Sequence, residues 1–226
     1  DRLLDPAAAG EFLDDFRPFA ERVAFYGALN GLAQVVMKLA SPGIPDIYQG
    51  NEAWDLSLVD PDNRRPVDYA RRRAMLEELQ ARGDEPAESL AADLLAGWRD
   101  GRIKLFLTMR GLRLRRERQW LFDHAGYTPL YAGGERGENV VAFARTGEGG
   151  WIVAAAPRLA SRLGPAGAWP LGDAWGDATL GLPAGAPAEW RDAVSGARLW
   201  SVPTDAGAGL PLRDLFRLYP FALLEA

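Results

Sequence analysis

The period of the apolar residues changes once along this chain, close to Gly126, and that change limits the fold more than any other feature. Ahead of it, Phe19, Val23, Tyr26, Ala33, Val36 and Ala40 recur at three- to four-residue steps or multiples of them, which predicts a helix from about 18 to 40. Ser41-Pro42-Gly43 stops that helix, since proline cannot continue the ladder and glycine accepts a left-handed cap. Residues 44–49 read as a short strand and 67–82 as a second helix, with Glu77 and Glu78 at helical spacing from several arginines. Pro86 opens a third helix, and a fourth is expected from about 101 to 123. Behind Gly126, NVVAFAR, GWIVAAA, ATLGLP, EWRDAV and RLWSVP are short runs rich in Val, Trp and Leu between clusters of Gly, Pro and Asp. With PFALLEA as a closing strand, they predict an antiparallel β-sandwich of roughly a hundred residues.

Composition narrows the function classes. The net charge of −5 argues against a generally basic nucleic-acid binder. The absence of cysteine excludes a disulfide framework and any thiolate chemistry. The opening DRLLDPAAAG has neither the basic nor the apolar region of a signal peptide. The most apolar stretch, AFYGALNGLAQVVMKLASPGI, is interrupted by Asn30, Gln34 and Lys38, so it is not expected to span a membrane. A soluble, cytoplasmic protein is the expectation. Residue 1 is Asp rather than Met, which reads as a piece of a longer chain.

Several candidate chemistries fail on pattern. Asp60-Pro61-Asp62-Asn63 starts like a calcium loop, but Arg65 stands where the loop needs glycine and Arg71 where it needs glutamate. His124 is the only histidine, no HExxH or GxSxG accompanies it, and a lone histidine near a helix end reads as a capping or surface residue. Residues 98–118 carry eight basic and two acidic side chains, and Arg110, Arg113 and Arg116 on one face open a nucleic-acid reading. The bland alternative is a solvated face whose apolar side, Ile103, Phe106, Leu107 and Leu114, packs on the protein. Trp151, Trp169, Trp175, Trp190 and Trp200 lie in the expected sandwich, as core anchors or as platforms for sugar rings.

The stretch SPGIPDIYQGNEAWDLSLVDPDNRRPVDY, residues 41–69, stands apart. It is too stiff for a flexible linker and too polar for a core strand. Helix, strand, ordered loop and helix make one unit of an α/β barrel, and loops after such strands are where barrel enzymes place their sites. Carboxylates alternating with arginines can pair and hold such a loop rigid, or it can serve only to buttress its neighbours. Amides and charged groups beside Tyr48 and Trp54 also suit a sugar.

At these residues the chain resembles a known family. GIPDIYQGNE is similar to the eighth barrel strand of the α-amylase superfamily, and its continuation WDLSLVDPDNRRPVDY resembles the malto-oligosyltrehalose synthase branch. The resemblance is sharpest over residues 41–73. It implies an α+β chain in which residues 1–126 hold the last β/α unit of a TIM-type barrel plus a helical segment, and residues 127–226 a C-terminal antiparallel β-sandwich domain. It also implies a maltodextrin substrate, a retaining transglucosylation that turns the reducing-end α-1,4 linkage into an α,α-1,1 linkage, and no cofactor or metal. The pathway partner it implies is malto-oligosyltrehalose trehalohydrolase. The family's catalytic carboxylates follow its fourth, fifth and seventh strands, so none is expected in this chain. Tyr48, Gln49, Glu52, Asp60, Asp62, Asn63, Arg64 and Arg65 match the strand end and its loop and are the candidates for substrate binding. The rival readings are a hydrolase of the same superfamily and a non-catalytic carbohydrate-binding module.

Overall fold

In the computed structural model, which describes residues 2–226, helices give way to strands after His124, as the change of period predicts. The helices are α1 (Pro6–Ala40), α2 (Tyr69–Ala81), α3 (Ala87–Ala96), α4 (Arg102–Glu117) and α5 (Gln119–His124). α1 starts at Pro6 instead of 18 because Asp5 caps it, accepting the Ala7 N–H at 2.9 Å, and Pro6 brings the preset φ of a first helical residue. It kinks at Ala9 and continues through Pro18. By length and composition α1 is apolar enough to cross a membrane, but half of its most apolar window is buried inside the protein. The helix expected over 101–123 breaks at Arg118, whose guanidinium reaches Glu225 on the sheet at 2.8 Å.

Residues 44–49 do not form the expected strand. Among the described residues no strand lies beside them to share a hydrogen-bond ladder, so their polar backbone finds other partners. Along residues 43–53 cations from three helices meet the carbonyls. Arg115 Nη2 donates to Gly43 O at 2.6 Å and Lys38 Nζ to Asp46 O at 2.9 Å. Arg72 Nη2 donates to Gly50 O at 2.9 Å and Lys104 Nζ to Ala53 O at 3.0 Å.

The second half folds into two antiparallel sheets. β1 (Gly126–Leu130), β3 (Val140–Gly147), β4 (Gly150–Pro157), β10 (Ala222–Glu225), β6 (Glu189–Asp192) and β7 (Arg198–Trp200) lie side by side in that order. The smaller sheet runs β2 (Ala132–Gly133), β5 (Thr179–Leu182), β9 (Gly207–Pro211) and β8 (Val202–Thr204), and a short α6 (Leu212–Leu215) follows β9. The large sheet is the middle of three layers. Ala142, Ala144, Val153, Ala155 and Leu224 share a core with Leu180 and Leu210 of the small sheet. The alternate residues Phe143, Ile152, Ala154, Ala156 and Leu223 pack with Leu32, Val36, Leu39, Ile103 and Leu107 from α1 and α4. Burial on both faces is why these strands are continuously apolar.

Arg145 lies on the helix-facing side, only 2% exposed, with no carboxylate partner among the described residues. Its Nη2 donates to Ala125 O at 2.8 Å, Phe122 O at 3.1 Å and Leu121 O at 3.3 Å, closing α5, and its Nη1 to Ala40 O at 3.4 Å, closing α1. These carbonyls lie at helix ends, where partners run out, although Leu121 O also takes the Ala125 N–H at 3.0 Å. Burial lowers the Arg145 pKa from the ordinary guanidinium value.

Candidate functional site

The loop from Gly50 to Asp68 is shaped by its own side chains. Asp55 Oδ1 accepts the Ser57 N–H at 3.0 Å and the Ser57 hydroxyl at 2.7 Å. The Ser57 bonds hold the Asp55 carboxyl below the usual carboxylate value, with Lys104 and Arg72 adding to the effect. Asp62 accepts the Leu58 N–H at 2.8 Å and pairs with Arg65. Arg64 grips Asp60 through Nε and Nη2, at 2.5 and 2.6 Å, out in solvent. Such exposed pairs stabilise little, about 0–1 kcal/mol, but they order the backbone between them.

Beneath the loop, Arg72 of α2 sits half-buried. Its Nε lies 2.6 Å from Glu52 Oε1 without an aligned hydrogen bond, while Nη2 holds Gly50 O. Trp54 anchors the other side, its indole N–H donating to Trp98 O at 2.6 Å with Lys104 above the ring. Burial, followed by repulsion from Lys38, lowers the Lys104 pKa from its ordinary value.

Between loop and helix lies a cleft of about 390 Å³, whose wall includes Gln49, Asp55, Ser57, Asn63, Arg65 and Arg72. Asp62 and Asp68 also reach it. The side-chain oxygen of Asn63 is buried there with no hydrogen-bond partner among the described residues. Of the candidates read from the sequence, Gln49, Asp62, Asn63 and Arg65 therefore meet in one cleft. Glu52 faces a separate apolar groove of about 520 Å³ with Ile47, Leu76, Met109 and Arg116. Tyr48, 41% exposed, and the Asp60–Arg64 pair line neither. Ser57, Asp68 and Arg72 were missed. Asp68 carried a legible signal, since it precedes α2 and caps it, accepting the Arg71 N–H at 2.9 Å.

The arrangement can bind an uncharged polyhydroxyl ligand: a donor guanidinium, amides and carboxylate acceptors ring a shallow cleft. Among the described residues no group of three or more Asp, Glu or His is placed to hold a metal ion.

The other residues singled out in the sequence lie in helix ends, in the packed core or at the surface. His124 stacks on Trp120, with Nδ1 3.2 Å from Trp120 O in the last turn of α5. Ile103, Phe106, Leu107 and Leu114 are buried, as a packed helix face requires, and Arg110 donates to Ala193 O at 2.9 Å. Trp175 and Trp190 are core residues, Trp169 packs on Phe25 and Trp98, and Trp200 is 59% exposed.

No family model matches the chain. It is 33% identical over 221 residues to a protein of Mycobacterium tuberculosis named "Putative maltooligosyl trehalose synthase". That match covers 98% of this chain and 24% of the relative. The solved maltooligosyltrehalose synthase from Arthrobacter ramosus superposes with a TM-score of 0.72 at 33% identity, covering 99% of this chain and 25% of that one. A further solved maltooligosyl trehalose synthase gives 0.65 at 26% identity, over 98% and 25%. The chain thus spans about a quarter of the length of the relatives it matches.

Proposed function

We propose that this chain is the C-terminal portion of a malto-oligosyltrehalose synthase, contributing the last β/α unit of its barrel and a closing β-sandwich. Likeness along nearly the whole chain to proteins of that name supports the reading. So does the surface the chain leaves open. Ile44, Leu56, Leu58 and Val59 are between 76% and 96% exposed beside an unpaired segment, and the groove of Ile47, Leu76 and Met109 is apolar. Barrel strands need neighbours on both edges and cover on their faces, and these residues would supply the contacts.

In this reading the full enzyme acts on maltodextrins, breaking the terminal α-1,4 bond with one carboxylate as nucleophile and a second carboxyl as acid, then base. The anomeric hydroxyl of the freed glucose attacks in place of water, forming the α,α-1,1 bond. The nucleophile and the acid/base come from earlier barrel strands, so no catalytic residue is assigned to this chain. Its part is to bind the sugar and keep it in place. Gln49 and Arg65 offer donors, Asp62, Asn63 and Asp68 acceptors, and the ion pairs behind them keep the loop rigid. The resemblance calls for no metal or organic cofactor, and a trehalohydrolase acting on the trehalose-ended product is the pathway partner.

The single observation that carries the sugar assignment is the loop cleft itself, where the guanidiniums of Arg65 and Arg72 and the amides of Gln49 and Asn63 meet the carboxylates of Asp55, Asp62 and Asp68. The test is an assay of the longer polypeptide with maltopentaose. Loss of reducing ends without release of glucose is expected, and release of glucose would make it a hydrolase of the same superfamily. The 226-residue chain alone should form no trehalose-ended product; its appearance would overturn the assignment of the catalytic groups to other strands.

A further inference from the structure

We propose that a second cleft, beside Trp200, binds α-glucan chains, a site that goes beyond the transglucosylation assigned above. β7 is an edge strand whose central residue, Leu199, points into the core at 8% exposure. Side chains alternate along a strand, so Arg198 and Trp200 project together on the opposite side. Trp200 is thereby 59% exposed, whereas Trp190 on the neighbouring strand β6 is 1% exposed. Its indole borders a cleft of about 320 Å³ walled by Ser195, Arg198, Val202, Asp214, Arg217 and Tyr219. That size is at the lower end for ligand sites, roughly 300–1,000 Å³. The cleft shares no residue with the one lined by Gln49, Asn63 and Arg72.

The charges select the ligand class. Arg198 is already paired with Glu189, and Arg217 lies 3.2 Å from Glu88. Asp192, which also lines the cleft, is buried and takes the Ser195 hydroxyl at 2.6 Å. Among the described residues both cations of the cleft wall already have a carboxylate partner, so the wall carries little surplus positive charge for a phosphate. Each guanidinium keeps N–H groups to spare for a neutral acceptor. The Asp214 carboxylate is exposed and has no ion-pair or side-chain hydrogen-bond partner among the described residues. A flat apolar indole next to an open acceptor and guanidinium donors matches a pyranose, which has an apolar ring face and a rim of hydroxyls.

Native affinity electrophoresis of the 226-residue chain, in gels with and without soluble starch, tests the site. Retardation by starch is expected. Trp200→Ala should weaken it about tenfold, a loss of the size that aromatic contacts supply, while Trp200→Phe keeps most of it. Trp120→Ala, at another exposed tryptophan, should migrate as the parent does. Trp200 is solvent-facing, and an unchanged near-ultraviolet circular dichroism spectrum will separate lost binding from lost folding. No retardation of the parent, or full retardation of Trp200→Ala, overturns the proposal. Retardation abolished by Asn63→Ala but untouched by Trp200→Ala would also overturn it, and would leave the loop cleft as the sugar site.

Discussion

Asn63 and Arg145 are both polar groups taken out of water, with opposite outcomes. Arg145 spreads its donors over the carbonyls of two helix ends, so truncating it strands several acceptors at once. Each unpaired group costs about 1–3 kcal/mol, and Arg145→Ala should destabilise the chain by about 3 kcal/mol or more in urea unfolding. Arg145→Lys should recover little, because an ammonium cannot fork to several carbonyls. Asn63→Ala removes an acceptor without a partner among the described residues, so the unfolding midpoint should stay level or rise. In the longer enzyme the same change should raise KM for maltodextrin more than it lowers kcat. Asn63 was legible because it stands in a run of carboxylates and arginines after a strand-like segment. Arg145 was not: NVVAFAR places it on one face with Phe143, but only the arrival of α1 and α5 makes that face the inside. Arg72 was missed for a similar reason, since it lies on the next helix and meets Glu52 only in three dimensions.

Helix contacts carry their own predictions. α4 crosses α1 at Gly111, where an added Cβ would lie 2.6 Å from Leu39 Cδ1, itself fully buried. Gly111→Val should therefore cost about 1–3 kcal/mol as overpacking, despite glycine's poor helix propensity. Asp93 of α3 binds Arg82, just past the end of α2, at 2.5 Å and Arg102 of α4 at 3.2 Å, and the Arg82 hydrogen bond is the first cause of its lowered pKa. A carboxyl with a depressed folded pKa contributes stability that is present above its unfolded value, 3.8, and lost as pH falls through the folded value. Asp93→Asn should thus melt lower than the parent at pH 7, with the gap closing below pH 3.8; a gap that persists at low pH would assign the effect to packing. The arginines facing Glu78 were visible in the sequence, although its shorter bond, 2.6 Å, goes to Arg102 on another helix. β1 and β9 escaped notice because GYTPL and GAGLP carry the Gly and Pro that read as turn. The segment 44–49 has the composition of a strand, but a ladder needs a neighbour, which no single stretch can announce.

At the scale of the molecule, the expected split near residue 126 falls at the change from helix to strand, yet apolar packing runs across it. Expressed alone, residues 127–226 would leave Phe143, Ile152, Ala154, Ala156 and Leu223 facing water. The expected readout is 8-anilinonaphthalene-1-sulfonate binding and a lower unfolding midpoint than the 226-residue chain. A midpoint equal to the parent's would show that the sheets need no helical cover. β10 is the strand on which both halves of the large sheet close: it pairs with β4 on one side and β6 on the other, and Ala222, Leu223 and Leu224 are 0% exposed. It also follows both β4 and β6 in chain order. During synthesis, therefore, β4 and β6 emerge from the ribosome with their inner edges bare and wait for residues 222–225 to be translated. An unpaired edge on a nascent chain can join the same edge of its neighbour on the polysome. A pause in translation just ahead of residue 222 would lengthen that interval, and should lower the yield of folded protein without altering one amino acid of it.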